Sequence, residues 1–193
     1  EDSINTNLAE GLWSFASSDH DIVTDYHPLI QELGLQDKIA AFNSVEISTA
    51  GVSDAYGKVK QFSGHFNPFP VLLGSGLNKG APIWWSPTRT PGLIDGTPAS
   101  LFKYAREKLL AKVVQINHGG DDGYFCWRGY DPGTNTASDP QYSDNYELME
   151  IINGNNKDNW LSELTIWYGH LNFGRKTIGM AVSDSHHRLN GEP

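Results

Sequence analysis

The chain has 193 residues, a length that fits one domain with a full hydrophobic core. Hydrophobic residues make up 38% of it and aromatic residues 11%, which excludes a disordered or low-complexity protein. The net charge is -9, and the 14 Lys and Arg residues are scattered along the chain. Nucleic-acid binding needs clustered cations, so we expect no nucleic-acid partner and favour a small-molecule substrate.

The sequence also limits the cellular context of the protein. Cys126 is the single cysteine, so no internal disulfide forms, and neither an oxidising nor a reducing compartment is implied. No apolar run approaches the ~20 residues of a membrane-spanning helix, and we therefore expect no membrane partner. The first residues are polar rather than signal-like. Localisation is left open.

Short apolar runs alternate with helical patterns, which predicts α/β units around a mainly parallel sheet. In the first part of the chain we predict a strand at 13–17, a helix from about residue 25 to Gly34, and strands at 41–48 and 65–73. The last of these strands contains Pro68 and Pro70, so its pairing should be irregular or at an edge.

The second part of the chain begins with a Gly- and Pro-rich segment, residues 74–98, that is too long for an ordinary connection. It is either a functional loop or a packed surface flap. Thr97 and Pro98 then predict the start of a helix that reaches about residue 110. Further on we predict a strand at 112–117, a long loop at 119–143 and a strand at 147–152. A helix, or two short ones, at about 160–171 and a strand at 177–182 follow.

Residue types that bind metals fall within or at the ends of these predicted strands. They are His20, Glu46, His65, His118, Asp184 and His186. The carboxyl ends of parallel strands open on one face, so residues far apart in sequence converge there. Imidazole and carboxylate groups suit Zn, Mn and Fe, and several together can hold two or three ions. The pattern predicts a site for metal-assisted hydrolysis.

Each of these residues also has a structural interpretation. Glu46 alternates with apolar neighbours and is equally consistent with the solvent face of an edge strand. His65 and His118 lie beside glycines, which permit close approach of an ion. Asp184 and His186 follow an apolar strand and share one side of an extended segment, which is a usable chelating spacing. The remaining histidines are expected to be structural: His27, His170 and His187.

Five segments, in this order along the chain, resemble the motifs of the PHP (polymerase and histidinol phosphatase) metallohydrolases. They are Ser18-Asp19-His20-Asp21, Val45-Glu46-Ile47, Gly64-His65-Phe66-Asn67, Ile116-Asn117-His118 and Ser183-Asp184-Ser185-His186. They are most similar to the branch that includes carbaryl hydrolase (CehA/McbA-like), and the resemblance covers nearly the whole chain. It implies a distorted TIM-like (β/α)7 barrel with two or three divalent ions, Zn, Mn or Fe, held by the six residues named above.

The sequence departs from the family at its start. The family begins with a strand that carries a His-x-His pair, and no such pair precedes His20. We therefore expect residues 1–193 to form a single PHP-like domain that is incomplete at its N-terminus and belongs to a longer chain. If the native protein lacks the pair, one metal position is weakened or empty.

The implied function is a metal-dependent hydrolase, in which a metal-bound hydroxide attacks a phosphoester or a carboxylic ester, amide or carbamate. Asp184 and His65 are the candidates for proton transfer. Arg89 and Arg128 would suit a phosphoester. Several aromatic residues of the two long loops would instead suit an aryl substrate: Trp84, Trp85, Tyr124, Phe125 and Trp127.

Two alternatives come from other functional classes. A catalytically silent domain, with a structural metal and aromatics that bind carbohydrate or another ligand, predicts ligand binding without turnover. A cysteine-dependent hydrolase would use Cys126 with His118, but Arg128 is the only nearby cation that could stabilise a thiolate.

Overall fold

The computed structural model describes residues 2–20, 22–48, 52–53, 59–60, 64–73, 97–121, 123–154 and 157–184. The helices are α1 (Asp2–Ala9), α2 (His27–Glu32), α3 (Pro98–Glu107), α4 (Tyr124–Trp127) and α5 (Lys157–Asn172). The strands are β1 (Ser14–Ala16), β2 (Ala40–Phe42), β3 (Ile47–Ser48), β4 (Val52–Ser53), β5 (Val59–Lys60), β6 (His65–Phe69), β7 (Val113–Asn117), β8 (Tyr130–Asp131), β9 (Thr136–Ala137), β10 (Leu148–Asn153) and β11 (Ile178–Val182). Among these residues no helix is long and apolar enough to span a membrane.

A five-stranded mixed sheet, in the order β11-β10-β7-β6-β3, forms the centre of the fold. Its strands β7, β10 and β11 are parallel, and α5 makes the crossover between β10 and β11. Strand β6 runs antiparallel to both of its neighbours, β7 and β3. Because the sheet contains both parallel and antiparallel strands, the amino end of β6 lies at the same edge of the sheet as the carboxyl end of β7.

The predicted TIM-like (β/α)7 barrel is wrong. In the part of the chain that the structure describes, the five-stranded sheet stays open, and the pairs β1–β2, β4–β5 and β8–β9 are separate small sheets. A (β/α) barrel needs every strand parallel to its neighbour, and therefore a crossover at each step. Between β3 and β6 the chain instead forms the antiparallel pair β4–β5, and β6 returns antiparallel to β3.

Several predicted elements are also divided or extended in the structure. The predicted strand at 41–48 is two strands, since β2 pairs with β1 and β3 pairs with β6. The predicted loop at 119–143 contains α4 and the antiparallel pair β8–β9. Helix α1 was not predicted. The predicted functional loop lies mostly outside the described residues, which resume at residue 97.

Two apolar clusters stabilise these elements. The larger one packs one face of the main sheet against α3, α4 and α5, and at its centre the Phe66 ring lies edge-on to Phe102 and Tyr124, with centroids 4.9 and 5.6 Å away. The Thr97 hydroxyl caps α3 by accepting a hydrogen bond from the Ser100 N–H, as the sequence predicts. The smaller cluster packs α1 and α2 on β2.

Candidate metal centre

Three of the predicted ligands lie at one end of the main sheet. His118 directly follows β7, and Asp184 follows β11, both at the carboxyl ends of parallel strands. His65 is the first residue of β6, and because β6 is antiparallel to β7, His65 pairs with Asn117, the last residue of β7. The reversed strand thus delivers its amino end to the face where the parallel strands deliver their carboxyl ends.

His20 and Glu46 reach the same end through β3. The two residues pair in parallel, and the Glu46 N–H donates to the Asp19 carbonyl at 3.1 Å. Strand β3 follows at once and pairs Ser48 with His65. The short chain segment around Glu46 therefore joins the region of β1 to the main sheet and carries its carboxylate toward His65.

The Glu46 carboxylate is the centre of the cluster. It is buried, with 5% of the residue exposed. Its Oε1 atom lies 2.8 Å from Nδ1 of His65 and 3.6 Å from Nε2 of His118. Its Oε2 atom lies 3.7 Å from Nδ1 of His20. Three imidazoles thus surround one buried carboxylate, which excludes the solvent-facing interpretation of Glu46.

The histidines also contact one another. His65 Nδ1 and His118 Nε2 are 3.1 Å apart, and the two rings are nearly perpendicular. The His20 ring lies edge-on to His65 with centroids 5.5 Å apart, and its Nδ1 atom contacts the Ser48 hydroxyl. The nitrogen atoms of three rings therefore converge on a small volume next to Glu46.

The charges of the cluster reinforce each other. Burial opposes ionisation of Glu46, but the imidazoles of His118 and His65 hold the pKa of this carboxyl well below its usual range. Burial also opposes protonation of His118, yet Glu46, Glu150 and Asp184 together raise its pKa to about 9. The lowered pKa of Glu46 and the raised pKa of His118 thus share one cause, the attraction between the carboxylate and the imidazoles.

The donor set fits a divalent ion. Ligand atoms of His20, Glu46 and His65 all lie within 4.8 Å of one another. Imidazole nitrogens and carboxylate oxygens are ligand types that zinc, manganese and iron take in proteins. Glu46 Oε1 is fully buried without a hydrogen bond of acceptable geometry, and an ion would satisfy it.

Asp184 lies next to this group rather than within it. It is half-buried, and its charge contributes to the raised pKa of His118, so the two side chains are close enough to interact. Both residues have a positive φ, which is 50° for Asp184 and 26° for His118. Residues other than glycine adopt this backbone conformation only at an energetic cost. His186 lies outside the described residues, as do Trp84, Trp85 and Arg89.

The other expected substrate and nucleophile residues have different surroundings. Arg128 is buried, and its guanidinium donates to Asp139 at 2.7 Å and to Gln141 at 3.3 Å, so it is engaged within the fold. Tyr124 and Phe125 belong to the hydrophobic core. Cys126 is exposed on α4, and within the described chain no hydrogen bond joins it to His118.

Two buried carboxylates beside His118 were not predicted. Glu150, in β10, accepts a hydrogen bond from the His118 N–H at 2.6 Å, and Glu163, in α5, accepts one from the Gly120 N–H at 3.3 Å. Burial raises the pKa of each to about 7. A glutamate between the apolar residues Met149 and Ile151 was the available sequence signal for Glu150. Glu163 had no comparable signal.

No protein-family model, no curated protein and no solved structure matches the chain.

Proposed function

We propose that this protein is a metal-dependent hydrolase that works as the PHP metallohydrolases do, with divalent ions bound around Glu46. One observation carries the proposal: the imidazoles of His20, His65 and His118 surround a buried carboxylate. A buried negative charge with converging nitrogen donors is costly unless a cation or protonated partners balance it. The order of the five sequence motifs supports the same proposal.

The proposed ligands divide between two neighbouring positions. His20, Glu46 and His65 would hold one ion, because their donor atoms form one compact group. His118 and Asp184 would extend the site toward a second ion, together with His186. Zinc, manganese and iron suit these ligand types. Such ions supply Lewis acidity and a lower pKa for a coordinated water.

The chain's own groups would then hold the ligands in place and transfer protons. Glu46 Oε1 lies 2.8 Å from Nδ1 of His65, so the two groups are close enough to bind the same ion. Asp184 is half-buried at the end of β11, so its carboxylate is accessible to both solvent and the cluster and would accept a proton from the nucleophilic water. His65 is the second candidate for this transfer.

The surroundings of Arg128 bear on the substrate class. Arg128 is held by Asp139, so it cannot bind a phosphate group without breaking a buried ion pair. Arg89, the other candidate for a phosphoester, lies outside the described residues. Because Arg128 is engaged, we favour carboxylic esters, amides or carbamates over phosphoesters. Tyr124 and Phe125 are in the core and would not contact the substrate, which leaves Trp84, Trp85 and Trp127 as the aromatic candidates.

A metal-reconstitution assay tests the proposal. The protein is stripped with a chelator, reloaded separately with Zn²⁺, Mn²⁺ or Fe²⁺, and assayed on aryl esters, aryl carbamates, anilides and an aryl phosphate. We expect metal-dependent turnover that is lost in His65→Ala and retained in His27→Ala, whose imidazole is exposed on α2. Metal binding without turnover on any of these substrates would contradict the hydrolase and favour the catalytically silent domain.

A further inference from the structure

The loop that carries His118 is tightly packed against its neighbours. His118 has a φ of 26°, and a Cβ on Gly123 would come within 2.2 Å of the His118 carbonyl oxygen. A Cβ on Gly119 would come within 2.7 Å of the Phe125 ring. A residue with a side chain is therefore held in a left-handed conformation inside a tight turn, and some other group must stabilise that arrangement.

Glu150 makes a short hydrogen bond to this loop. Its Oε2 atom accepts the His118 N–H at 2.6 Å, a short hydrogen bond from the residue whose imidazole reaches Glu46. The same oxygen accepts from Asn153 at 3.0 Å, and Oε1 accepts from Gln115 at 3.1 Å. Both oxygens are thus occupied by donors from the protein, so Glu150 acts on the site through the backbone rather than as a ligand.

A row of buried amides fixes Glu150 in turn. The Gln115 side chain that donates to Glu150 also donates to Asn117 at 3.1 Å, and Asn117 donates to Asn67 at 3.0 Å. These residues lie on β10, β7 and β6, the three adjacent strands beneath the histidines. A carboxylate held on both oxygens by a rigid sheet is well suited to define the position of a neighbouring loop.

We infer that Glu150 is a positioning residue that, through the His118 N–H, holds the His118 imidazole at Glu46 and thereby increases the affinity of the site for metal. This inference rests on the proposed function, because it takes the cluster to be a metal site. It predicts that Glu150 matters for metal binding only as long as the His118 side chain is present.

A double-mutant cycle separates positioning from general stabilisation. Zn²⁺ affinity is measured by competition with a chromophoric chelator for the wild type, Glu150→Ala, His118→Ala and the double variant. Loss of an outer partner of a metal ligand typically weakens metal binding by about 10–100-fold, and we expect this loss in Glu150→Ala. In the double variant we expect no further loss beyond that of His118→Ala. Absorption spectra of the Co²⁺-loaded proteins report the change in nitrogen ligation independently of activity.

Glu147, the residue before β10, offers a matched control because its side chain also contacts β7. Its Oε2 atom accepts the Val114 N–H of β7 at 2.9 Å, and its Oε1 atom pairs with Arg106, both at the end of the strands away from the histidines. Glu147→Ala should therefore lower the thermal unfolding midpoint and leave Zn²⁺ affinity unchanged. Glu150→Gln retains an oxygen acceptor, so its Zn²⁺ affinity should lie between those of Glu150→Ala and the wild type. It replaces Glu150→Ala in the cycle if that variant does not fold.

The outcomes distinguish this inference from the proposed function. A wild type that binds none of Zn²⁺, Mn²⁺ and Fe²⁺ would overturn both. Two results would overturn only the positioning role of Glu150. In the first, Glu150→Ala and Glu150→Gln bind Zn²⁺ as tightly as the wild type does. In the second, the double variant loses as much affinity as Glu150→Ala and His118→Ala lose together.

Discussion

The Oε1 atom of Glu46, the residue before β3, lies 2.8 Å from the Nδ1 atom of His65, the first residue of β6, and the two meet because Ser48 of β3 pairs with His65. The carboxylate is buried, and the two further imidazoles of His20 and His118 lie within 4 Å of it. A buried carboxylate with several imidazoles around it is stable as an ion only when positive charge compensates it. The proposed metal site depends on this relationship.

Replacing the carboxylate with its neutral isostere should disable the site. Glu46→Gln keeps the volume of the side chain and removes the negative charge that the histidines share. We expect Zn²⁺ affinity to fall by at least about a hundredfold, more than for loss of an outer partner, because a proposed ligand is altered. Isothermal titration of the metal-free proteins measures the change. Glu10→Gln, at an exposed position after α1, should bind as the wild type does.

The packing of the His118 loop gives a steric prediction. A Cβ at Gly123 would meet the His118 carbonyl oxygen at 2.2 Å, and backbone cannot yield as a flexible side chain can. Gly123→Ala should therefore destabilise the fold by about 1–3 kcal/mol and also weaken metal binding. Gly133→Ala is the control, since its Cβ would come no nearer than 3.2 Å to Asp131. Equal stability of the two variants in urea denaturation would contradict the close contact.

His170 should make stability depend on acidic pH. It is buried next to Tyr146, with Nε2 3.2 Å from the hydroxyl, and burial together with Arg175 lowers its pKa to about 4. The unfolded chain binds a proton near pH 6.5 and the folded one does not, so stability is lost as pH falls from 6.5 toward 4.

The measurement is urea denaturation of the metal-free proteins at pH 7 and pH 4.5. The wild type should lose about 2–3 kcal/mol more than His170→Phe between these pH values, from about 1.4 kcal/mol per pKa unit. His27→Gln, which removes an exposed imidazole, should behave as the wild type. An identical pH dependence of the wild type and His170→Phe would show that His170 is not held neutral.

Glu163 should make the stability of the fold decrease as the pH rises, which is the opposite of the effect of His170. Burial raises its pKa from 4.5 to about 7, so the folded chain keeps a proton that the unfolded chain releases. Its contribution to stability is therefore present at pH 4.5 and is lost as pH rises through 7. Glu163→Gln remains neutral and should be more stable than the wild type at pH 8, by on the order of 2 kcal/mol. Thermal unfolding at pH 5 and pH 8 tests this, and an advantage of the variant that does not grow with pH would contradict it.

The sequence predicts the positions of most elements, because their signals are local. Thr97 and Pro98 mark the start of α3, and the apolar runs before His118 and Asp184 are strands β7 and β11. Strand direction is not a local property. The reversal of β6 depends on how the chain connects β3, β6 and β7, and for that reason the predicted barrel is wrong.

His20, Glu46, His65 and His118 lie together in the structure. The argument from the carboxyl ends of parallel strands accounts for His118 but not for His65, which is at the amino end of the antiparallel strand β6. The surroundings of Arg128 and Tyr124 could not be predicted in this way. Both lie in the segment 119–143, whose α4 and β8–β9 pair fold back into the core, and pairing such as that of Arg128 with Asp139 depends on tertiary contacts.

The most direct test of the central claim is the metal content of the purified protein, measured by elemental mass spectrometry beside the double variant His65→Ala, His118→Ala. We expect at least about one ion of zinc, manganese or iron per chain in the wild type, and a metal content near zero in the folded double variant. No bound metal in the wild type after incubation with these ions, or the same content in both proteins, would contradict it.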